Sequence, residues 1–169
     1  SFRFCLFCFD VFTYSIAPFA VYRCFEQIKI DVCIHNLPVY IVGNGGGYGY
    51  GIMGATHHAI EDIACLSSLP NMVCWIPAFN EDIEFCISSI TDNKTPAYLR
   101  LGLGGNYPNK IKISFINKLI SSNHPKITII AIGPIVHNVI KASESFEGIE
   151  VFTILRIPII NITAELRSS

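Results

Sequence analysis

Residues 43–62 read GNGGGYGYGIMGATHHAIED: seven glycines fall within twelve positions and run into a pair of histidines, His57 and His58. Just upstream, PVYIVG (38–43) is a short apolar, β-branched run of the kind that forms a buried strand. Downstream, AIEDIACLSSL (59–69) has a helical period and stops before Pro70, where the chain disfavours helical dihedrals. Strand, glycine loop and helix in succession make one α/β unit. So many glycines cost backbone entropy, so the loop needs left-handed dihedrals or a close backbone approach.

Three chemistries compete for that loop. Gly49-Tyr50-Gly51-Ile52-Met53-Gly54 matches the GxGxxG dinucleotide pattern, but its context fails. The strand ends near Val42, too early for a tight strand–turn–helix, and no Asp or Glu occurs between Asp62 and Glu81, where a ribose-binding acid belongs. Metal binding is equally poor. Adjacent histidines on a helix diverge by about 100° and cannot share one ion, and no spaced third set joins Glu61 and Asp62. The third reading makes Thr56 the N-cap of a helix, with both imidazoles in its first turn, where the dipole favours the neutral ring. A neutral His57 at a glycine-walled cleft can exchange hydrogen bonds with a hydroxyl or carbonyl of a sugar or α-keto substrate. An ordinary surface loop followed by a helix stays open as the plain alternative.

The same alternation extends along the chain. Val11–Tyr14, Pro38–Gly43, Met72–Pro77, Ala97–Leu101, Ile127–Gly133 and Glu150–Leu155 read as buried strands. Between two of them, NEDIEFCISSI places Ile83, Cys86, Ile87 and Ile90 on one helical face, with Asn80 as N-cap and Glu81 and Asp82 suiting the positive helix start. The expectation is an α/β fold with a mostly parallel sheet flanked by helices. Turn formers cluster in LGGNYPNK, so a first domain is expected over 1–108 and the beginning of a second over 109–169.

Composition narrows the class. The chain has 169 residues, half of them apolar, only 15% charged, with a net charge of −1. That low charge points to surface hidden by a partner, and the scattered Lys and Arg form no stripe for nucleic acid. The uncharged run from Val11 to Tyr22 is far short of the ~20 residues that span a bilayer. Seven cysteines without regular spacing read as reduced thiols of a cytoplasmic protein, and Cys5-Leu6-Phe7-Cys8 lacks the second pair that a zinc site would need.

FEQIKIDVCIHNLPVYIVGNGGGYGYGIMGATHHAIEDIACLSSLPNMVCWIPA followed by TPAYLRLG resembles the pyrimidine-binding domain of the transketolase family. The likeness is greatest to the separate C-terminal subunits of split transketolases and extends to deoxyxylulose-phosphate synthases. It covers roughly Val11 to Gly105, with G-x-T-H-H-x-I-E-D and L-P-N-M as its most specific motifs. It continues weakly into KITIIAIGPIV, which looks like the first strand of the family's C-terminal domain.

The resemblance implies a thiamine diphosphate-binding fold, with the cofactor lying between this domain and a diphosphate-binding subunit or domain that holds the diphosphate through Mg2+. It implies transfer of a two-carbon ketol unit between sugars by a dimeric assembly, with this chain inactive alone. His57 matches the histidine over the reactive carbon and the substrate hydroxyls. Phe19, with Tyr22 behind it, matches the aromatic that stacks on the pyrimidine; Phe19, Tyr22 and Phe25 are spaced to share a helical face. Arg23 aligns with a frequent arginine at the cofactor, and Asn44 and Gly45–Gly47 occupy the substrate loop. Three departures stand out. No Glu precedes Glu26, although the family's essential glutamate lies upstream of the aromatic cluster. The diphosphate domain and its metal motif are missing. Leu103 stands where many relatives place a phosphate-gripping arginine, with Arg100 three positions too early and on the other register, and Met53 replaces an acid used toward substrate hydroxyls. A non-catalytic partner subunit and a 2-oxo acid dehydrogenase β-subunit remain as alternative readings.

Overall fold

The computed structural model describes residues 9–159. Cys5 and Cys8 therefore lie outside the described residues. The first strand, β1 (Val11–Ile16), enters a helical run, α1 (17–33), which changes pitch repeatedly: α-helical over Ala17–Val21, 3-10 over Tyr22–Cys24, and π-helical over Ile28–Cys33. Then follow β2 (Val39–Asn44), the glycine loop, α2 (Asp62–Ser67), β3 (Val73–Trp75), α3 (Asp82–Asn93) and β4 (Ala97–Leu101). The remainder comprises β5 (Ile116–Ile120), β6 (Ile127–Ala131), α4 (Val136–Ser143), β7 (Ile149–Ile154) and the short β8 (Arg156–Ile157).

Two sheets result. The larger runs β1-β2-β4-β3-β8 and is parallel through β3, with β8 added antiparallel at its edge. The smaller, β5-β7-β6, pairs β5 antiparallel and β6 parallel to β7. All six expected strands are present, so the α/β expectation holds, with antiparallel pairs added at β5 and β8 where the sequence pattern carried no sign of direction.

Strand periodicity divides the core. Ile41 and Tyr98 point to the face covered by α1 and α2, where they pack with Val21, Ile28, Leu66 and Cys74. Their neighbours Tyr40, Val42, Ala97 and Leu99 point the other way, toward Trp75, Cys86 and Ile90. The turn-rich segment after β4 is docked, because Tyr107 stacks on Phe79 at 3.8 Å and Gly105 N–H donates to His137 Nε2 at 3.0 Å.

Two helix starts differ from expectation. Asn80 does not cap α3: its amide donates to Asn106 Oδ1, and the buried Asp82 carboxylate accepts the Ala78 and Phe79 N–H groups instead. Correspondingly the buried face of α3 runs through Asp82, Cys86 and Ile90, leaving Ile87 exposed. Thr56 does not cap a helix either. Residues 55–57 form a turn and α2 begins only at Asp62, so neither histidine sits in a helical first turn.

Cys33, Cys74 and Cys86 are buried free thiols, and burial pushes them up from 9.0 to about 11, 12 and 12 respectively. They are expected to resist a disulfide reagent in the native chain at pH 8, as mass spectrometry of the labelled protein can read. Because unfolded thiols ionise first, stability should fall as pH rises from about 9 toward 12 and be unaffected by these groups below that window.

Candidate functional site

The site forms where β1 and β2 end side by side. Their parallel register pairs Ile16 with Asn44, so the chain leaves both strands at the same level of the sheet. Beyond Ile16 comes Phe19, in a helix opened by Pro18 near its start. Beyond Asn44 comes the glycine loop, folded back on the histidine turn by a Gly47–Ala59 bridge with N–H···O distances of 2.7 and 3.0 Å. That return places the half-buried His57 ring edge-on to Phe19, centroids 5.1 Å apart, and to Tyr50 at 5.9 Å. Thr56 Oγ1 lies 2.9 Å from His57 Nδ1, which commits that nitrogen and leaves Nε2 for a ligand.

The aromatic triplet separates. Phe19 meets His57, with the Arg23 guanidinium over its ring at 4.6 Å. Tyr22 turns to Glu61, donating to Oε2 at 2.9 Å and accepting the Glu61 N–H at 3.2 Å. Its phenol is pushed up to about 12, first by burial and then by the hydrogen bond to Glu61. Phe25 packs into the core. The one-face expectation fails because the 3-10 turn at Tyr22–Cys24 alters the angle between successive residues. His58 also turns inward, its Nε2 2.9 Å from Gly51 O and its ring against Tyr48.

Three of the loop's glycines are explained by the chain's own side chains. Gly45 has φ +74°, and a Cβ there would overlap the Tyr50 ring, whose hydroxyl accepts from Asn44 Nδ2 at 3.1 Å. A Cβ on Gly46 would overlap the Arg100 guanidinium, and one on Gly43 the Tyr98 ring. At these three positions the chain's own side chains take the space that a phosphate cradle would keep open. Gly51–Met53 is a 3-10 turn, not the helix start a dinucleotide site requires.

Beneath the loop lies a polar cluster that sequence reasoning missed. Tyr98 and Arg100, two apart on β4, share the face that meets α2. Tyr98 O–H donates to Asp62 Oδ2 at 2.6 Å, Arg100 Nε lies 3.1 Å from the same oxygen, and Arg100 Nη2 donates to Ala59 O at 2.5 Å. Asp62 is fully buried, and burial together with that carboxylate raises the Tyr98 phenol strongly. The two-residue spacing of Tyr98 and Arg100 was the available signal; their shared partner was not. Leu103, by contrast, stands 90% exposed in the loop after β4. Among the described residues, no group of three or more His, Cys, Asp or Glu could hold a metal, and no helix is long and apolar enough to cross a membrane.

Comparison with known proteins agrees with this geometry. Residues 2–104 match the family model for the transketolase pyrimidine-binding domain. One subunit of the apulose-4-phosphate transketolase of Actinobacillus succinogenes is 30% identical over 152 residues, covering 86% of this chain and 48% of that protein. The protein of the same name from Phocaeicola vulgatus is 37% identical over 92 residues, covering 54% of this chain and 30% of that protein. Among solved structures, a split-gene transketolase described as an inactive beta4 tetramer superposes with a TM-score of 0.76 at 26% identity, over 90% of this chain and 51% of that one. The chain thus spans about half or less of the length of these relatives. On the match over residues 2–104, it belongs to the transketolase family through its pyrimidine-binding domain.

Proposed function

We propose that this chain supplies the aminopyrimidine side of a thiamine diphosphate site that a diphosphate-binding subunit or domain completes. The completed assembly would transfer a two-carbon ketol unit between sugars, and the chain alone would be inactive. The observation that carries this reading is His57, half-buried, held at Nδ1 by Thr56 and flanked edge-on by Phe19 and Tyr50.

The residues fit one end of the cofactor. Phe19 offers an aromatic ring to a flat pyrimidine, and Arg23 covers one face of that ring. Diphosphate and Mg2+ would be held by the completing region, since Arg100 beneath the loop is already engaged by Asp62 and Ala59. When bound, thiamine diphosphate supplies the nucleophilic carbon that adds to a ketose carbonyl. His57 would then hold the donor's oxygen through Nε2, with Asn44 and Gly45 lining the approach and Tyr22 supporting α2 through Glu61. Apolar Leu103 cannot grip phosphate, so a phosphorylated sugar would be held elsewhere in the assembly. In this reading residues 109–169 begin the family's C-terminal domain, the assembly is at least dimeric, and the buried reduced thiols suit the cytoplasm.

Because the Arg23 guanidinium occupies one face of Phe19, a second reading stands beside the first, a non-catalytic partner subunit in which that contact takes the place of a bound pyrimidine. Titration separates the two. Thiamine diphosphate with Mg2+ is added to this chain mixed with a diphosphate-binding subunit of a split transketolase, and association is followed by sedimentation. Tightening of at least tenfold supports the half-site; association indifferent to the cofactor supports the scaffold.

A further inference from the structure

The Arg100–Asp62 pair does not touch the His57 ring yet touches both segments that position it. Arg100 extends from β4 under the glycine loop, so closely that Gly46 has no room for a Cβ. Its Nη2 bonds Ala59 O, two residues beyond His57, and Ala59 is the residue bridged to Gly47. Its Nε faces Asp62, the first residue of α2, whose carboxylate also takes the Tyr98 hydroxyl. One guanidinium thus ties together the strand, the underside of the loop, the histidine turn and the start of the helix.

We propose that Arg100, anchored by Asp62, is a positioning residue that holds the glycine loop against the histidine turn and thereby sets His57 beside Phe19 and Tyr50. This rests on the reading that His57 is the working group of the site. The chemistry requires arginine. Here the planar fork donates through Nη2 to the Ala59 carbonyl while its Nε lies 3.1 Å from the Asp62 carboxylate as an ion pair without a hydrogen bond, whereas a lysine ammonium is a single point at the end of a flexible stem. Lysine would keep the positive charge near Asp62 but lose the bond to Ala59. The Gly47–Ala59 bridge would then stand without support from below.

Arg100→Lys and Asp62→Asn are compared with the wild-type chain, without cofactor or partner, by residue-resolved amide exchange and by NMR of the His57 ring protons. The Gly47 and Ala59 amides are expected to exchange at least tenfold faster in Arg100→Lys, while the Ile41 and Leu99 amides of the central strands stay within threefold of wild type. The His57 ring resonances, shifted by the neighbouring Phe19 and Tyr50 rings, should move toward random-coil values. Asp62→Asn should show the same local pattern. Unchanged exchange at Gly47 and Ala59 with an unshifted His57 would overturn the proposal. So would loss of protection in the central strands of both variants together with the loop, which would assign the pair to the whole fold and not to the placing of His57. Because no cofactor is present, failure here leaves the thiamine diphosphate reading standing, and failure of cofactor-linked association leaves this one standing.

Discussion

On the proposed reading, replacing His57 by Ala is expected to lower ketol transfer by the completed assembly about 10²–10⁴-fold, the range lost when a positioned imidazole is removed from a reacting centre. Stability should fall by about 1–2 kcal/mol, because the ring is half-buried and edge-to-face contacts such as those with Phe19 and Tyr50 are each worth about 0.5–1.5 kcal/mol. Steady-state kinetics and chemical denaturation of the same preparations check both halves. His58→Ala serves as the control. His58 bonds Gly51 O and packs on Tyr48, so its loss should disturb the loop and leave turnover within a few-fold. Phe19→Ala should instead weaken thiamine diphosphate binding more than it slows turnover. A His57→Ala assembly that works within threefold of wild type would remove the imidazole from the reaction.

The second large effect is on folding. Asp82 is fully buried at the start of α3, and its carboxylate accepts the Ala78 and Phe79 N–H groups at 3.0 and 2.9 Å and the Tyr107 O–H at 2.6 Å. Asp82→Ala strands two buried backbone donors and the part-buried Tyr107 hydroxyl, and each buried donor costs about 1–3 kcal/mol. We expect a loss of about 4 kcal/mol in urea unfolding, a large share of the roughly 5–15 kcal/mol that holds a domain together. Tyr107→Phe removes one partner and leaves the other two, so it should cost about 1 kcal/mol. It would separate the two sides of the cluster, because Tyr107 lies on the segment that stacks on Phe79 and Asp82 on the helix. A loss below about 1 kcal/mol for Asp82→Ala would mean that water replaces the carboxylate at no cost.

Local pattern carried most of the fold. Strands such as Val39–Asn44 and Ala97–Leu101 announce themselves because apolar, β-branched runs can be satisfied only by burial on a sheet, and helix α3 by its spacing of apolar residues. The histidine motif and the aromatic positions were legible as a resemblance. The local assignments that failed did so where a distant residue outcompeted the nearest candidate. Asn80 was the expected cap, but Asp82 reaches back to the two N–H groups and is held by Tyr107, 25 positions away. Thr56 was expected to start a helix, but its hydroxyl goes to the neighbouring imidazole, and the bridge between Ala59 and Gly47 delays the helix to Asp62.

By itself, then, the sequence determined the alternation of strands and helices, the loop's need for glycine, and the residue types available to the crevice, because these depend on short-range periodicity and backbone sterics. Tertiary structure alone decided what fills the loop and what faces His57. Tyr98 and Arg100 meet Asp62 across 36 and 38 positions of chain, and Phe19 meets His57 across 38. Contacts of that separation follow from the order and register of strands, which pair through uniform backbone groups and leave no mark on local composition.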